Sequence, residues 1–427
     1  MDNKCFQFSV IPAVRISSMV RPEVRFYGVD ADMVKLAVLQ DGKALREFHY
    51  PLESGVTKYL RPDFAGLCGD VVLHISFWHN MTLLYAEDYP YQVIESGVPS
   101  TQLIDGCWIS IYHWSDDEAR WFNNGLKTMG DEDFKQHIRD MAAVGIRGVV
   151  IQNLFDSRAY VGGPPMTADG YSGKAYYPSA LYENRMDIAA HDPIEAVLAA
   201  ADECGIHVFL GIGLYAWFDF TAESLKWHIR VAQEVYQKYG GHKSFYGWYV
   251  SEEIFGDLYF SHPTVEDEEW KKMPVFFRDF TAAIRKLTPT KPVALAPNNI
   301  KFHEREAEWK EILPYIDVLI PFAFARDLEH LNVLDIKRIC EECDTHMWVD
   351  MEMFRIPLDN GLIPKEYDDL LREIRIYDDV EQIYGYQYTG IMNHPDSPFD
   401  LGGQKPRELY RKYQEYYRDA AAQDKIK

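Results

Sequence analysis

At 427 residues the chain is too long for one compact core, and its 47% hydrophobic and 14% aromatic content excludes disorder over most of its length. The 44 basic and 66 acidic side chains leave a formal charge of −22, which repels nucleic acid and anionic lipid and suits a neutral or cationic substrate. No run of ~18 apolar residues occurs, so neither a transmembrane helix nor membrane insertion is expected.

The N-terminus, Met-Asp-Asn-Lys-Cys-Phe-Gln-Phe-Ser-Val, lacks the basic start and apolar core of a signal peptide. The expected location is cytoplasmic if Met1 is the native start, and periplasmic or secreted if an export signal has been removed. Residues 1–97 alternate short β-rich runs with turns. The segments 34–40, 44–50, 71–78 and 83–93 read as strands, and Asp41-Gly42 marks a hairpin. This predicts a small β-sandwich domain over 1–97, followed by a linker at Gly97-Val98-Pro99-Ser100.

From 98 to 427 apolar strands alternate with amphipathic helices, the pattern of βα units around a parallel sheet. Eight strands are predicted, at 106–112, 145–152, 205–213, 246–251, 292–297, 316–322, 345–352 and 383–389. Helices are predicted at 131–141, 193–204, 221–239, 273–287, 304–313, 331–340, 364–378 and 405–421. Acids in the first turn mark the start of the first, and Pro193 marks that of the second. The fold class is therefore α/β, a (β/α)8 TIM barrel preceded by a β-sandwich. The long loop at 156–190 carries Gly162-Gly163-Pro164-Pro165 and Tyr160, Tyr171, Tyr176, Tyr177 and Tyr182. Those tyrosines either stack on sugar rings or pack the loop onto the barrel.

Two strands end in carboxylates: Gly-Trp-Tyr-Val-Ser-Glu-Glu at 247–253 on strand four and Trp-Val-Asp-Met-Glu at 348–352 on strand seven. Alternation directs Trp248 and Val250 toward the helices and Glu253 toward the barrel mouth, with Glu252 as the competing assignment. On strand seven Val349, Met351 and Met353 face the helices, so Asp350 and Glu352 face the interior. A carboxylate buried there without a partner or function is costly. Asp350, one layer deeper, is read as an orienting group, and an ion pair with Arg355 is the structural alternative for Glu352.

Polar groups recur at the ends of other strands: Gln152 and Asn153 on strand two, Asn298 and Asn299 on strand five, and His394 beyond strand eight. Trp108, His113, Trp114, Tyr215, Trp217, Phe322 and Tyr388 add stacking surface, with Trp108 equally readable as barrel core. Together they describe a polar cleft with aromatic walls, suited to a glycan. Two carboxylates across such a mouth are the equipment for breaking a glycosidic bond.

The segments Phe-Lys-Gln-His-Ile-Arg-Asp-Met, Gly-Ile-Arg-Gly-Val-Val-Ile-Gln-Asn and Phe-Tyr-Gly-Trp-Tyr-Val-Ser-Glu-Glu-Ile, after a β-sandwich, resemble a family of glycoside-hydrolase-like TIM-barrel proteins. That family is known mostly from gut Bacteroides and is grouped among domains of unknown function. The likeness covers about 100–415 and implies a barrel hydrolase. A looser likeness to retaining barrel glycosidases implies Glu253 or Glu252 as acid/base and Glu352 as nucleophile. Those enzymes usually carry Asn before the strand-four Glu, where this chain has Ser251 and Glu252.

The leading expectation is a glycoside hydrolase acting on an oligo- or polysaccharide without metal or organic cofactor. In it Glu253 is a general acid of raised pKa and Glu352 an ionised nucleophile, most simply retaining. The alternatives are a non-catalytic carbohydrate-binding barrel and a metal-dependent barrel enzyme, the last without an H-x-H or H-E-x-x-H motif. Cys5, Cys68, Cys107, Cys204, Cys340 and Cys343 read as free thiols. The C-x-x-C of Cys340 and Cys343 has no second cysteine or histidine pair to complete a zinc site.

Overall fold

The computed structural model describes residues 5–160, 167–214, 218–259, 268–326, 332–359 and 361–424. Phe6–Ile11 (β1), Arg15–Ser17 (β2), Glu23–Gly28 (β3), Met33–Gln40 (β4), Lys43–Pro51 (β5), Lys58–Leu60 (β6), Gly69–His79 (β7) and Thr82–Ile94 (β8) form two sheets. Their orders are β1-β3-β6 and β2-β8-β7-β4-β5. Alternation turns Val34, Leu36 and Val38 of β4 and Val71, Leu73, Ile75 and Phe77 of β7 into a core shared with Val24 and Phe26 of β3. The strands expected from alternation are present. β1, β2, β3 and β6 were not expected: β2 and β6 are only three residues long, and β3 buries Glu23 and Arg25, which hides its pattern.

A third, barrel sheet contains Gly106–Ile109 (β9), Gly148–Ile151 (β10), His207–Ile212 (β11), Phe245–Val250 (β12), Val293–Leu295 (β13), Val318–Leu319 (β14), His346–Met347 (β15), Val349–Glu352 (β16) and Ile383–Tyr386 (β19). Phe354–Arg355 (β17) and Ile363–Pro364 (β18) pair separately as an antiparallel flap. All pairings within the barrel sheet are parallel, in the order β15-β14-β13-β12-β11-β10-β9-β19-β16. β15 and β16 are two pieces of the expected seventh strand on either side of Trp348. One pairs with the sixth strand and the other with the eighth, so the ring closes through this segment. The Trp348 N–H donates to Leu319 C=O at 2.9 Å and the Asp350 N–H to Pro321 C=O at 2.9 Å, carrying the ladder across the break.

Helices at Asp131–Ala143, Pro193–Cys204, Ala222–Tyr239, Met273–Leu287, Glu306–Ile312, Val333–Glu342, Tyr367–Ile376 and Gln404–Asp424 surround the sheet, as expected. The short helix Asn123–Thr128 was not anticipated. Asp192 caps one of the expected helices by accepting the Glu195 N–H, and Thr221 caps another by accepting that of Ser224. Among the described residues all six cysteines are free, and the Cys340 thiol is buried on its helix.

Outward strand positions pack under the helices and inward ones form a separate cluster of Trp108, Val150, Phe209, Tyr246, Tyr249, Ala294, Val318, Trp348 and Tyr384. Tyr246 departs from the expected alternation. A register shift lets Phe245 oppose Val208 and Gly247 oppose Phe209, so Tyr246 is the extra residue and turns inward. Tyr384 lies so close over Gly106 and Gly148 that a Cβ at either would strike its ring.

Ile11, the last residue of β1, and Ala13, in the connection to β2, join this interior cluster at the end where the barrel strands begin. Tyr246 Oη donates to Val10 C=O at 2.9 Å, and Arg15 is buried against Asp105 at 2.6 Å. A second buried network links β3 to the same end. Arg25 bonds Glu23 at 2.5 Å and Asp317 at 2.8 Å, while His346 lies 2.7 Å from Glu381 and 3.5 Å from Glu23. The sandwich thus caps the end of the barrel opposite the mouth.

Burial works against a charge on His346, but Glu381 and Glu23 outweigh it and raise its pKa to about 9. A folded-state pKa above the unfolded value of 6.5 gives stability that is complete below pH 6.5 and lost as pH rises through about 9. Denaturant titrations at pH 6.5 and 9.5 should therefore show wild type losing on the order of 2–3 kcal/mol more than His346→Gln. Equal losses would refute this role.

Candidate active site

The alternation that packs Val349 and Met351 beneath the helices turns Asp350 and Glu352 into the barrel mouth. There they line a cleft of about 270 Å³, close to the lower end of the ~300–1,000 Å³ usual for small-ligand sites. Glu253, three residues beyond β12, lines the same cleft from the opposite part of the ring. Trp108, Trp114, Tyr249, Phe322, Phe354 and Tyr386 supply aromatic walls, and Gln152 a polar one. Trp108 belongs to both expected roles: it meets Tyr249 edge to face at 5.9 Å within the interior cluster, and it also faces the cleft.

Asp350 sits deepest. It is 5% exposed, receives a hydrogen bond from the Tyr386 backbone N–H, and its Oδ1 has no hydrogen-bond partner among the described residues. Burial, then the charges of Glu352, Glu253 and Glu373, push its pKa well above the ordinary carboxylate range, which favours its protonated form. The Coulombic influence of both glutamates on this one group shows that the three carboxyls share one electrostatic site. Behind Glu352, Glu373 is paired with Lys365 and receives the Tyr377 hydroxyl at 3.0 Å. Arg355, the alternative partner considered for Glu352, pairs with Glu366 at 2.7 Å.

Glu252 does not line the cleft. It is fully buried and accepts the Phe218 N–H at 3.1 Å, because the chain leaves regular β geometry after Val250. Asn153 donates to Phe155 C=O at 2.5 Å, Asn298 accepts the Ile300 N–H at 2.6 Å, and Asn299 bonds Asn332 at 3.3 Å. All three hold their own loops together and lie outside the cleft lining. His113 is buried one layer back, with Nε2 3.3 Å from Tyr386 Oη and 3.7 Å from Glu118. Burial lowers its pKa to about 4, which leaves it neutral.

Tyr388 falls beyond the end of β19, packs against His137 at 4.8 Å and is not in the cleft. His394 packs on Tyr410 at 5.1 Å, also away from it. Tyr215 and Trp217 lie outside the described residues, as does Gly162-Gly163-Pro164-Pro165. Tyr171, Tyr176, Tyr177 and Tyr182 are buried in the helix-facing core, with Tyr177 Oη donating to Glu234 at 2.6 Å. For these four, packing is the role observed.

Sequence reasoning passed over Glu118, Tyr249, Ala296, Phe354, Ile356 and Tyr386 as cleft residues. Tyr249 and Tyr386 were available from the same alternation that selected Asp350. Glu118 was not, since it is one of three consecutive acids, 116–118, in an irregular loop. Its carbonyl accepts the Leu362 N–H at 2.8 Å, which joins that loop to the segment leading into β18. Tyr386 Oη donates to Gln152 Oε1 at 3.1 Å and fixes the amide at the cleft wall. Among the described residues no group of three or more His, Cys, Asp or Glu side chains is arranged to hold a metal ion.

Because Asp350 binds its proton more tightly folded than unfolded, it costs stability as pH rises above the unfolded value of 3.8. At pH 7 Asp350→Asn should be at least as stable as wild type by thermal melting, with the advantage vanishing near pH 3.8. A variant less stable at pH 7 than at pH 4, relative to wild type, would show that the ionised form is the stabilising one.

No curated protein sequence matches the chain. Among solved structures, a "putative alpha-L-fucosidase" from Bacteroides thetaiotaomicron is similar with a TM-score of 0.52 at 17% identity, over 76% of this chain and 96% of that one. A β-glucuronidase from Parabacteroides merdae gives a TM-score of 0.42 at 13% identity, covering 96% of this chain and 52% of its own. A β-D-glucuronidase from Dictyoglomus thermophilum gives 0.42 at 13%, covering 97% and 68%. At these identities the first likeness speaks for the fold alone. A family model matches residues 104–398, from just before β9 through the loop after β19, and the chain belongs to that family, described as a domain of unknown function, DUF4434.

Proposed function

We propose that the protein is a glycoside hydrolase in which Glu253 and Glu352 act as the catalytic pair. The observation that carries this reading is that the two carboxylates, from strands on opposite parts of one ring, line a single cleft walled by aromatic rings. The similar barrel described as a "putative alpha-L-fucosidase" is consistent with glycosidase chemistry on this fold.

In this mechanism a sugar ring lies against Trp108, Trp114 or Tyr249, whose faces match the apolar C–H face of a pyranose. Glu253 protonates the departing glycosidic oxygen as the bond to the anomeric carbon breaks. Glu352 meets the positive charge developing at that carbon, either by direct attack or by activating water. Asp350, whose protonated form burial and the neighbouring glutamates favour, can donate a hydrogen bond in that form without adding a second buried charge. Gln152, held by Tyr386, is positioned to bond a ring hydroxyl.

Wild type, Glu253→Gln and Glu352→Gln should be compared on a panel of polysaccharides and aryl glycosides. Each substitution is expected to lower kcat by about 10²-fold or more with the melting temperature preserved. Proton NMR of the first-formed anomer then assigns the mechanism: retention for direct attack by Glu352, inversion for water activation. Glycan binding without release of sugar by wild type would replace this reading with a carbohydrate-binding barrel.

A further inference from the structure

The ionisable acidic residues lining the cleft are Glu118, Glu253, Asp350 and Glu352, with no Lys or Arg among the described lining residues. Nor do the internal stretches outside the described residues, 161–166, 215–217, 260–267, 327–331 and 360, contain a Lys or Arg in their sequence. They carry instead Glu266, Asp267, Asp327 and Glu329, with two histidines, His262 and His330. An enzyme that binds a sugar carboxylate, sulfate or phosphate needs a cation or several donors directed at it, for which Arg is the favoured residue.

At the bottom of this cleft, Asp350 Oδ1 is an unpartnered polar atom on a side chain only 5% exposed. A buried oxygen of this kind is costly unless something supplies a hydrogen bond. A sugar hydroxyl does so as donor or acceptor, and an ammonium does so as donor. A carboxylate can accept from Asp350 in its protonated form, but it adds a further negative charge among Glu118, Glu253 and Glu352.

We propose that the cleft selects its sugar by charge: it takes a ring that is uncharged or carries an amine, and rejects rings bearing a carboxylate, sulfate or phosphate. This rests on the glycosidase reading for its substrate class but can be tested by binding alone. The global charge of −22 acts in the same direction at long range, and the cleft focuses it. Glu118 lies outside the catalytic pair and contributes to the selection as a wall charge.

The test uses matched 4-nitrophenyl glycosides in the gluco, galacto and manno series, each as hexoside, 2-amino-2-deoxyhexoside and hexuronide, with the L-fucoside as a further uncharged ring. Binding to the full chain is read by quenching of tryptophan fluorescence, to which Trp108 and Trp114 report, and turnover by nitrophenol release. In every series where a member binds, the uronide should be weaker than the hexoside by at least about tenfold. Glu118→Gln and raised salt should both narrow that gap. A uronide bound or hydrolysed as well as its hexoside overturns the proposal. Charge-selective binding without nitrophenol release from any glycoside supports the selectivity and sinks the hydrolase reading. No binding by any member counts against both.

Discussion

The molecule depends on how its seventh strand closes the barrel. Residues 346–352 pair with one neighbour through His346–Met347 and with the other through Val349–Glu352, with Trp348 at the break. Because side chains alternate, the same closure that buries Val349 and Met351 under the helices commits Asp350 and Glu352 to the interior. The ring cannot close with this register and keep those acids in water. The cost is limited by the Tyr386 N–H on Asp350 and by the upward pKa shift that burial and neighbouring charge give it, which favours the neutral acid.

The two ends of the barrel handle buried charge in opposite ways. At the end where the strands begin, Arg15 pairs with Asp105, and Arg25, Glu23, Asp317, His346 and Glu381 form a network of both signs. These charges neutralise one another and attach the β-sandwich. At the mouth the cleft lining is acidic only, with aromatic and amide neighbours. A closed end built for stability and an open end carrying excess charge of one sign is the division expected when the mouth binds a ligand.

Much of this was legible in the sequence. Apolar runs separated by helical periodicity located all eight barrel strands, and the parity of Val349, Met351 and Met353 correctly turned Asp350 and Glu352 inward. Parity failed where the backbone ceased to be regular, at Tyr246 in a bulge and at Tyr388 beyond β19, whereas for the strand-four acids it favoured Glu253 over Glu252, and Glu253 is the one that lines the cleft. Asn153, Asn298 and Asn299 were recognisable as strand-end amides, but local composition does not distinguish an amide that braces its loop from one facing a ligand. Glu118 reaches the cleft through loop geometry that no period encodes. Of the unexpected sandwich strands, β2 and β6 are too short to show a period, and β3, the middle strand of its sheet, escaped because Glu23 and Arg25 are buried in a network that reaches across to Asp317 of the barrel.

The central claim is that Glu253 and Glu352 act together on one bond. The most direct measurement is kcat/KM for the best glycoside with wild type, both single glutamine variants and the double variant. Residues that form one catalytic unit are strongly non-additive, so the double variant should be within about tenfold of the worse single. Either single variant retaining wild-type turnover, or losses that multiply in full, would contradict the pairing.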